Sequence, residues 1–267
     1  VNNQVLLCPG QAAQDVNLSA SYFGIGATTS YDVTSIDYNP PFPFTGGTQV
    51  SVGTDDVWSP VVNLPFNFCF FGNSYSTARV GSNGVVAFGI PAATTYCPWS
   101  FSTTIPNTGF PILNAIYGVY QDVDPTINPV ASGTTVNYQV LGSYPCRALV
   151  VNFANLNQYD CETTTGPQTS QVVLYEISNI IEVYVQRRVP CTGWQNGVGV
   201  LGIQNATGTV AYTPPGRNTG AWSATNEAWR FTPNAPATIN LEWVQNGVVI
   251  GTNNTVTVSV SDDTVVT

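Results

Sequence analysis

QVVLYEISNIIEVYVQR (residues 171–187) decides the fold class. Two apolar runs rich in β-branched and aromatic residues, Gln171–Ile177 and Ile180–Arg187, flank the turn pair Ser178-Asn179. That spacing predicts a β-hairpin. The pattern repeats outward from it. Val61–Phe71 leads through Gly72-Asn73 into Ala78–Phe88, which contains the tight turn or bulge Gly81-Ser82-Asn83-Gly84. Arg147–Phe153 reads as a strand, and Ala228–Phe231 as a closing strand. Gly197–Gln204 and Thr209–Tyr212 read as a hairpin around Ala206–Gly208. No amphipathic helix emerges, because most apolar runs are short and end at Gly, Pro or Asn. The expected fold is therefore all-β, with a large β-sandwich over residues 24–235. Two long irregular loops interrupt it, Ser30–Pro60 and Pro91–Pro111, and long loops in compact domains tend to carry function.

Composition narrows the chemistry. Of 267 residues only 8% are charged, against about 25% in an average soluble protein. The six basic residues are all arginine, and lysine, histidine and methionine are absent. Without histidine there is no Ser–His–Asp or Cys–His nucleophile system and no imidazole-bound zinc. Without lysine there is no Schiff base and no Walker-type phosphate clamp. A net charge of −9 with no basic cluster argues against nucleic acid and anionic membranes as partners. No run of 18 apolar residues is present, so no helical membrane insertion is expected. The chain opens at Val1 without an initiator methionine, which predicts a processed chain or a fragment.

Six widely spaced cysteines, Cys8, Cys69, Cys97, Cys146, Cys161 and Cys191, predict disulfides and a secreted or cell-surface location. If Arg147–Phe153 pairs with Gln171–Ile177 and the hairpin closes, Cys161 and Cys191 fall at one end of the sheet and bond. Cys69 with Cys97 is a weaker expectation, and Cys8 with Cys146 follows only by elimination.

The two ends differ from the middle. Ile239–Val244, the turn Asn246-Gly247, Val248–Ile250 and the alternating Thr255–Ser261 read as strands of an Ig-like sandwich. Val5–Ala20 reads as its first strands. Neither piece alone buries a two-sheet core. Residues 1–23 and 236–267 are thus expected to form one incomplete Ig-like domain into which residues 24–235 are inserted. The missing strands are expected from sequence beyond Thr267 or from a neighbouring copy, and the latter would make the chain a fibre subunit by strand donation.

At this point a family resemblance emerges. SYDVTSIDYNPPFPFTGG (30–47), VGTDDVWSPVVNLPFNFCFFGNSY (52–75), VGSNGVVAF (80–88), YCPWSFS (96–102) and DVDP (122–125) resemble a module of large Bacteroidota surface proteins. PCRALVVNF (145–153), LYEISNIIEVYVQ (174–186) and GIQNATGTVAYTPPGRNTGAWSATNEAWRFTP (202–233) extend the resemblance over about residues 20–235. Those proteins are exported by type IX secretion and carry gliding-motility-associated C-terminal sorting domains. The closing WVQNGVVIGTNNTVTVSVSDDTVVT resembles the Ig-like repeats that follow the module. The SNG hairpin and D-x-D-P motif are also distantly similar to extracellular NIDO-type domains. The resemblance implies an adhesive or structural module, not an enzyme, with glycans, surface proteins, adjacent repeats or further copies of itself as partners. It also implies O-glycosylation at Thr264, in Asp263-Thr264-Val265.

Three constellations are candidates for a site. Asp122 and Asp124 lie two residues apart on an extended segment, and Asp55-Asp56 add two carboxylates in a loop. Together they suit calcium, although no EF-hand or RTX ligand loop is present. The structural alternative is loop capping by Asx-turns. The same acids, Asp122 or Asp124 foremost, would be the pair of a glycosidase. Loop aromatics, above all Trp58, Tyr96, Trp99 and Trp222, offer platforms for a sugar ring, the reading of a carbohydrate-binding module. Phe101, Tyr117, Tyr120 and Trp194 also lie in or beside loops, where satellite core is the expected role for most. Trp229 and Trp243 fit strand cores. Arg217 and Arg230 are each expected to pair with a carboxylate, with Glu227 close in sequence to Arg230.

Overall fold

A computed structural model describes residues 12–21, 24–50, 55–126, 135–237, 240–260 and 266. Two compact units result. One comprises Val1–Ile25 with Pro236–Thr267, and the other Gly26–Ala235.

In chain order the strands begin with β1 (Gln14–Ser19), β2 (Ala27–Ile36), β3 (Thr48–Gln49), β4 (Val62–Phe70), β5 (Asn73–Gly81) and β6 (Val85–Ala87). There follow β7 (Ala115–Tyr120), β8 (Val123–Asp124), β9 (Thr135–Leu141), β10 (Ala148–Gln158), the one-turn helix α1 (Glu162–Thr165) and β11 (Gln168–Tyr175). The remainder are β12 (Ile181–Arg188), β13 (Val200–Gln204), β14 (Ala211–Tyr212), β15 (Ala224–Ala235), β16 (Trp243–Gln245), β17 (Val248–Gly251) and β18 (Thr255–Val260).

The larger unit is a two-sheet sandwich with every pairing antiparallel. One sheet runs β2-β15-β12-β11-β10-β9-β3, with β8 added to β10, and the other runs β14-β13-β7-β6-β5-β4. The hairpin that opened the sequence reading is β11–β12, with Val172 opposite Val183. On β4 burial alternates strictly, so Phe66, Phe68 and Phe70 enter the core while Asn63, Pro65 and Asn67 face out. They meet Leu149, Val151 and Phe153 of β10 and Ile181, Val183 and Val185 of β12. Each such side chain contributes about 1.5–3 kcal/mol by leaving water.

Both outer faces are covered as well. Phe101, Ile105, Phe110 and Ile112, from the loop before β7, pack on Val85, Ala87, Ala115, Tyr117 and Val200. Tyr38 and Phe42, from the loop after β2, pack on Ala148, Val150, Val173, Tyr184 and Ala228. That second loop is also tied down by a buried amide ladder. Gln171 donates to Asn152 at 2.8 Å, Asn152 donates to Asn137 at 2.9 Å, and Phe42 O and Pro43 O accept from the same amides. Double-sided covering explains why β10 is buried almost end to end.

The smaller unit contains two two-stranded sheets, β1–β18 and β16–β17. Val16 stands opposite Val258, so the two ends of the chain share a sheet.

Several expectations need correction. Ser30–Pro60 is not all loop, since β2 occupies Ala27–Ile36 and β3 Thr48–Gln49. Arg230 pairs with Glu182, and it is Arg217 that takes Glu227, at 2.5 Å. The antiparallel register sets Glu182 directly across from Arg230. Trp243 is only half-buried, its indole N–H donating to Asn253 O.

Candidate functional site

Three loop segments and the ends of two strands converge on one cavity of about 250 Å³, lined by Asp55, Asp56, Trp99, Asp122, Tyr159 and Trp194. The construction starts at the Ser82-Asn83-Gly84 turn between β5 and β6. Asn83 is fully buried. Its Nδ2 donates to Asp56 Oδ1 at 2.8 Å and to Cys97 O at 3.3 Å. Its Oδ1 accepts from Val123 N at 3.1 Å, and its backbone carbonyl from Gln121 N at 3.2 Å. One side chain thus holds the segments that carry Asp56, Trp99 and Asp122. The far wall comes from the disulfide Cys161–Cys191, with a Cα–Cα distance of 5.7 Å. Tyr159 lies two residues before Cys161, and Trp194 three residues after Cys191. Their rings meet at 4.8 Å, and Trp99 meets Trp194 at 5.7 Å. Trp194 Nε1 donates to Asp122 Oδ2 at 2.7 Å, tying the aromatic wall to the acidic one.

Burial and crowding make the acids weak. Burial first, then the charges of Asp56, Asp124 and Asp122, push the Asp55 carboxyl up to about 7. Asp122 is pushed up to about 6, again by burial first, against the pull of its Trp194 hydrogen bond. Asp56 is also raised, by burial, with the Asn83 hydrogen bond opposing. The folded chain therefore holds these protons to higher pH than the unfolded chain does. Their contribution to stability is full below about pH 4 and is lost as pH rises through about 6–7. Glu176, lowered by its Arg147 hydrogen bonds, and Glu227, lowered by Arg217 despite burial, act oppositely at acid pH, below the ordinary 4.5. Thermal melting is expected to fall between about pH 5 and 8, with Asp55→Asn/Asp122→Asn flattening the decline. A flat wild-type profile, or the same slope in the variant, would contradict this electrostatic picture.

The cavity gathers some of the residues singled out in the sequence and leaves others outside. Asp55, Asp56, Asp122 and Trp99 line it. Asp124 does not; it is buried, and its Oδ1 accepts from Thr126 N at 2.7 Å and Thr126 Oγ1 at 2.6 Å, an Asx-type cap. Tyr96 is 54% exposed and bridges Val57 outside the lining. Trp58 is no platform, being buried beneath the loop before β7. Trp222 is buried as well, between the guanidinium groups of Arg188 at 4.1 Å and Arg217 at 4.8 Å, with its indole N–H on Gly199 O. Phe101, Tyr117 and Tyr120 are satellite core. Among the described residues no group of three or more His, Cys, Asp or Glu is placed to hold a metal ion. Each of the four acids also has one oxygen in an internal hydrogen bond: Asp55 Oδ1 accepts from Asp56 N at 2.8 Å, and Asp56, Asp122 and Asp124 are engaged as above.

Cys69 and Cys97 carry free thiols and do not bond. Cys69 stands opposite Ser74, whereas Cys97 packs on Gly81, seven residues and about 23 Å further along β5. Cys146 is free and exposed, while its suggested partner Cys8 lies outside the described residues, as does Thr264. Sequence reasoning missed Tyr159 and the hub role of Asn83. Their signals were proximity to a bonded cysteine and position inside an SNG turn.

Fold and cavity together define a β-sandwich module with an aromatic and acidic pocket. Residues 30–241 match the NIDO-related family, and the chain belongs to it. No curated protein and no solved structure gives a match. Family membership and the intramolecular disulfide are consistent with an extracellular protein. Among the described residues no helix is long and apolar enough to cross a membrane.

Proposed function

We propose that this chain is a non-catalytic adhesive module of a secreted or cell-surface protein, and that it grips its partner at the cavity of Trp99, Tyr159, Trp194 and the three aspartates. The observation that carries this is the convergence itself: six side chains from distant parts of the sequence, fixed by Asn83 and a disulfide, around an aromatic hollow. The resemblance to type IX-secreted Bacteroidota surface proteins supports a surface setting. The strand pair at the chain ends supports an Ig-like neighbour for the sandwich.

An array of glycans and peptides, probed with wild type and Trp194→Ala, tests the proposal. Saturable binding is expected, falling at least about tenfold in the variant, as for an aromatic anchor in a pocket. Binding that Trp194→Ala leaves unchanged would place recognition elsewhere. One observation favours a second reading. Carboxyls raised to about 7 and about 6 beside an aromatic pocket hold protons well above the usual carboxylate range, Asp55 to near neutral and Asp122 to weakly acid pH, as a glycosidase acid does. Turnover of an array glycan, abolished by Asp122→Asn, would establish that reading in place of adhesion.

A further inference from the structure

We infer that the cavity receives an organic cation, the lysine ammonium or arginine guanidinium of a protein partner, between its aromatic wall and its three aspartates. The inference rests on the proposed function and names the ligand class of the same site.

Charge accounting comes first. Three carboxylates share this hollow, and none of the six arginines lines it. All six arginines are engaged elsewhere. Arg147, Arg217 and Arg230 pair with Glu176, Glu227 and Glu182. Arg79 donates to Ser59 O, Pro91 O and Thr94 O. Arg187 donates to Pro167 O and Thr165 O, and Arg188 to Gln121, Trp222 O and Gly197 O. With no lysine or histidine in the sequence, these carboxylates, once ionised, have no arginine, lysine or histidine of the chain to offset them, and a cationic ligand would supply that charge in place of a proton.

The walls have the right chemistry for it. Indole and phenol faces attract a cation through the ring quadrupole, most strongly when it is desolvated. Ionised aspartates only accept hydrogen bonds, so they complement a group that only donates, as ammonium and guanidinium do. A neutral sugar would also use the rings, but it gains far less from three acids. Size agrees too: about 250 Å³ lies below the roughly 300–1,000 Å³ of drug-sized sites and suits one side chain. For a metal ion, the other obvious cation, no group of three or more His, Cys, Asp or Glu is placed among the described residues.

Calorimetry with Nα-acetyl-lysine methylamide, its neutral isostere Nα-acetyl-norleucine methylamide and N-acetylglucosamine tests the inference. The lysine amide is expected to bind at least about tenfold more tightly than either neutral probe. Its affinity should weaken several-fold as salt rises from about 50 to about 500 mM. Asp55→Asn/Asp122→Asn should lower it at least about tenfold while melting remains cooperative. A neutral probe that binds as well as the lysine amide, or an Asn variant that binds the lysine amide unchanged, overturns the inference. So does the absence of measurable heat with all three probes. In each case the cavity reading is judged separately by the Trp194→Ala array, so the two failures are distinguishable.

Discussion

Gly84→Ala is expected to cost about 3–5 kcal/mol and to abolish the cavity with it. Gly84 has φ +84°, where a side chain is strained by itself. An added Cβ would also lie 2.0 Å from Val119 O and 2.9 Å from its carbonyl carbon. Neither atom can yield cheaply, because Gly118 N donates to Gly84 O at 2.9 Å and clamps β7 to this turn. The neighbouring Asn83 would be displaced, releasing the Asp56, Cys97 and Val123 anchors together. Urea unfolding gives the magnitude. A loss below about 1 kcal/mol would show that the turn relaxes and that the hub is not rigid.

The second large effect concerns the Cys161–Cys191 bridge. Cys161→Ser/Cys191→Ser should destabilise the sandwich by about 2–4 kcal/mol, the value for a native bridge closing a loop of moderate length. The bridge spans 30 residues of sequence and encloses β11 and β12, which pair directly. Unlike a purely structural staple, it also sets the approach of Tyr159 to Trp194. The variant should therefore lose cavity binding at temperatures where it is still folded. Unchanged unfolding free energy, or full binding in the folded variant, would separate the bridge from the site.

Much of the sandwich was legible because its strands are short, β-branched and punctuated. The expected hairpin, Gln171–Ile177 with Ile180–Arg187, emerges as Gln168–Tyr175 with Ile181–Arg188, and Val61–Phe71 as Val62–Phe70. The Gly81–Gly84 turn divides Ala78–Phe88 into the end of β5 and β6. Strands such as AIYGVY (115–120) were harder to read. They are buried on both faces and show no alternation, and Gly118 looks like a breaker until Val172 is seen packed against it. The site was half legible. The acids and Trp99 stood out by type, whereas burial decided against Trp58 and Trp222. The covering of a sheet's outer face by a loop leaves no mark in a sequence beyond the loop's own aromatics. Cys69 and Cys97 failed as a pair because the sequence does not show that they meet opposite ends of β5.

The central claim, that this hollow is where the module holds its partner, is tested most directly by the six indole N–H signals in a proton–nitrogen spectrum. Saturation with the tightest array binder should shift Trp99 and Trp194, whose rings form the wall, and leave buried Trp58 and Trp222 in place. Saturated binding with Trp99 and Trp194 unmoved would contradict the account.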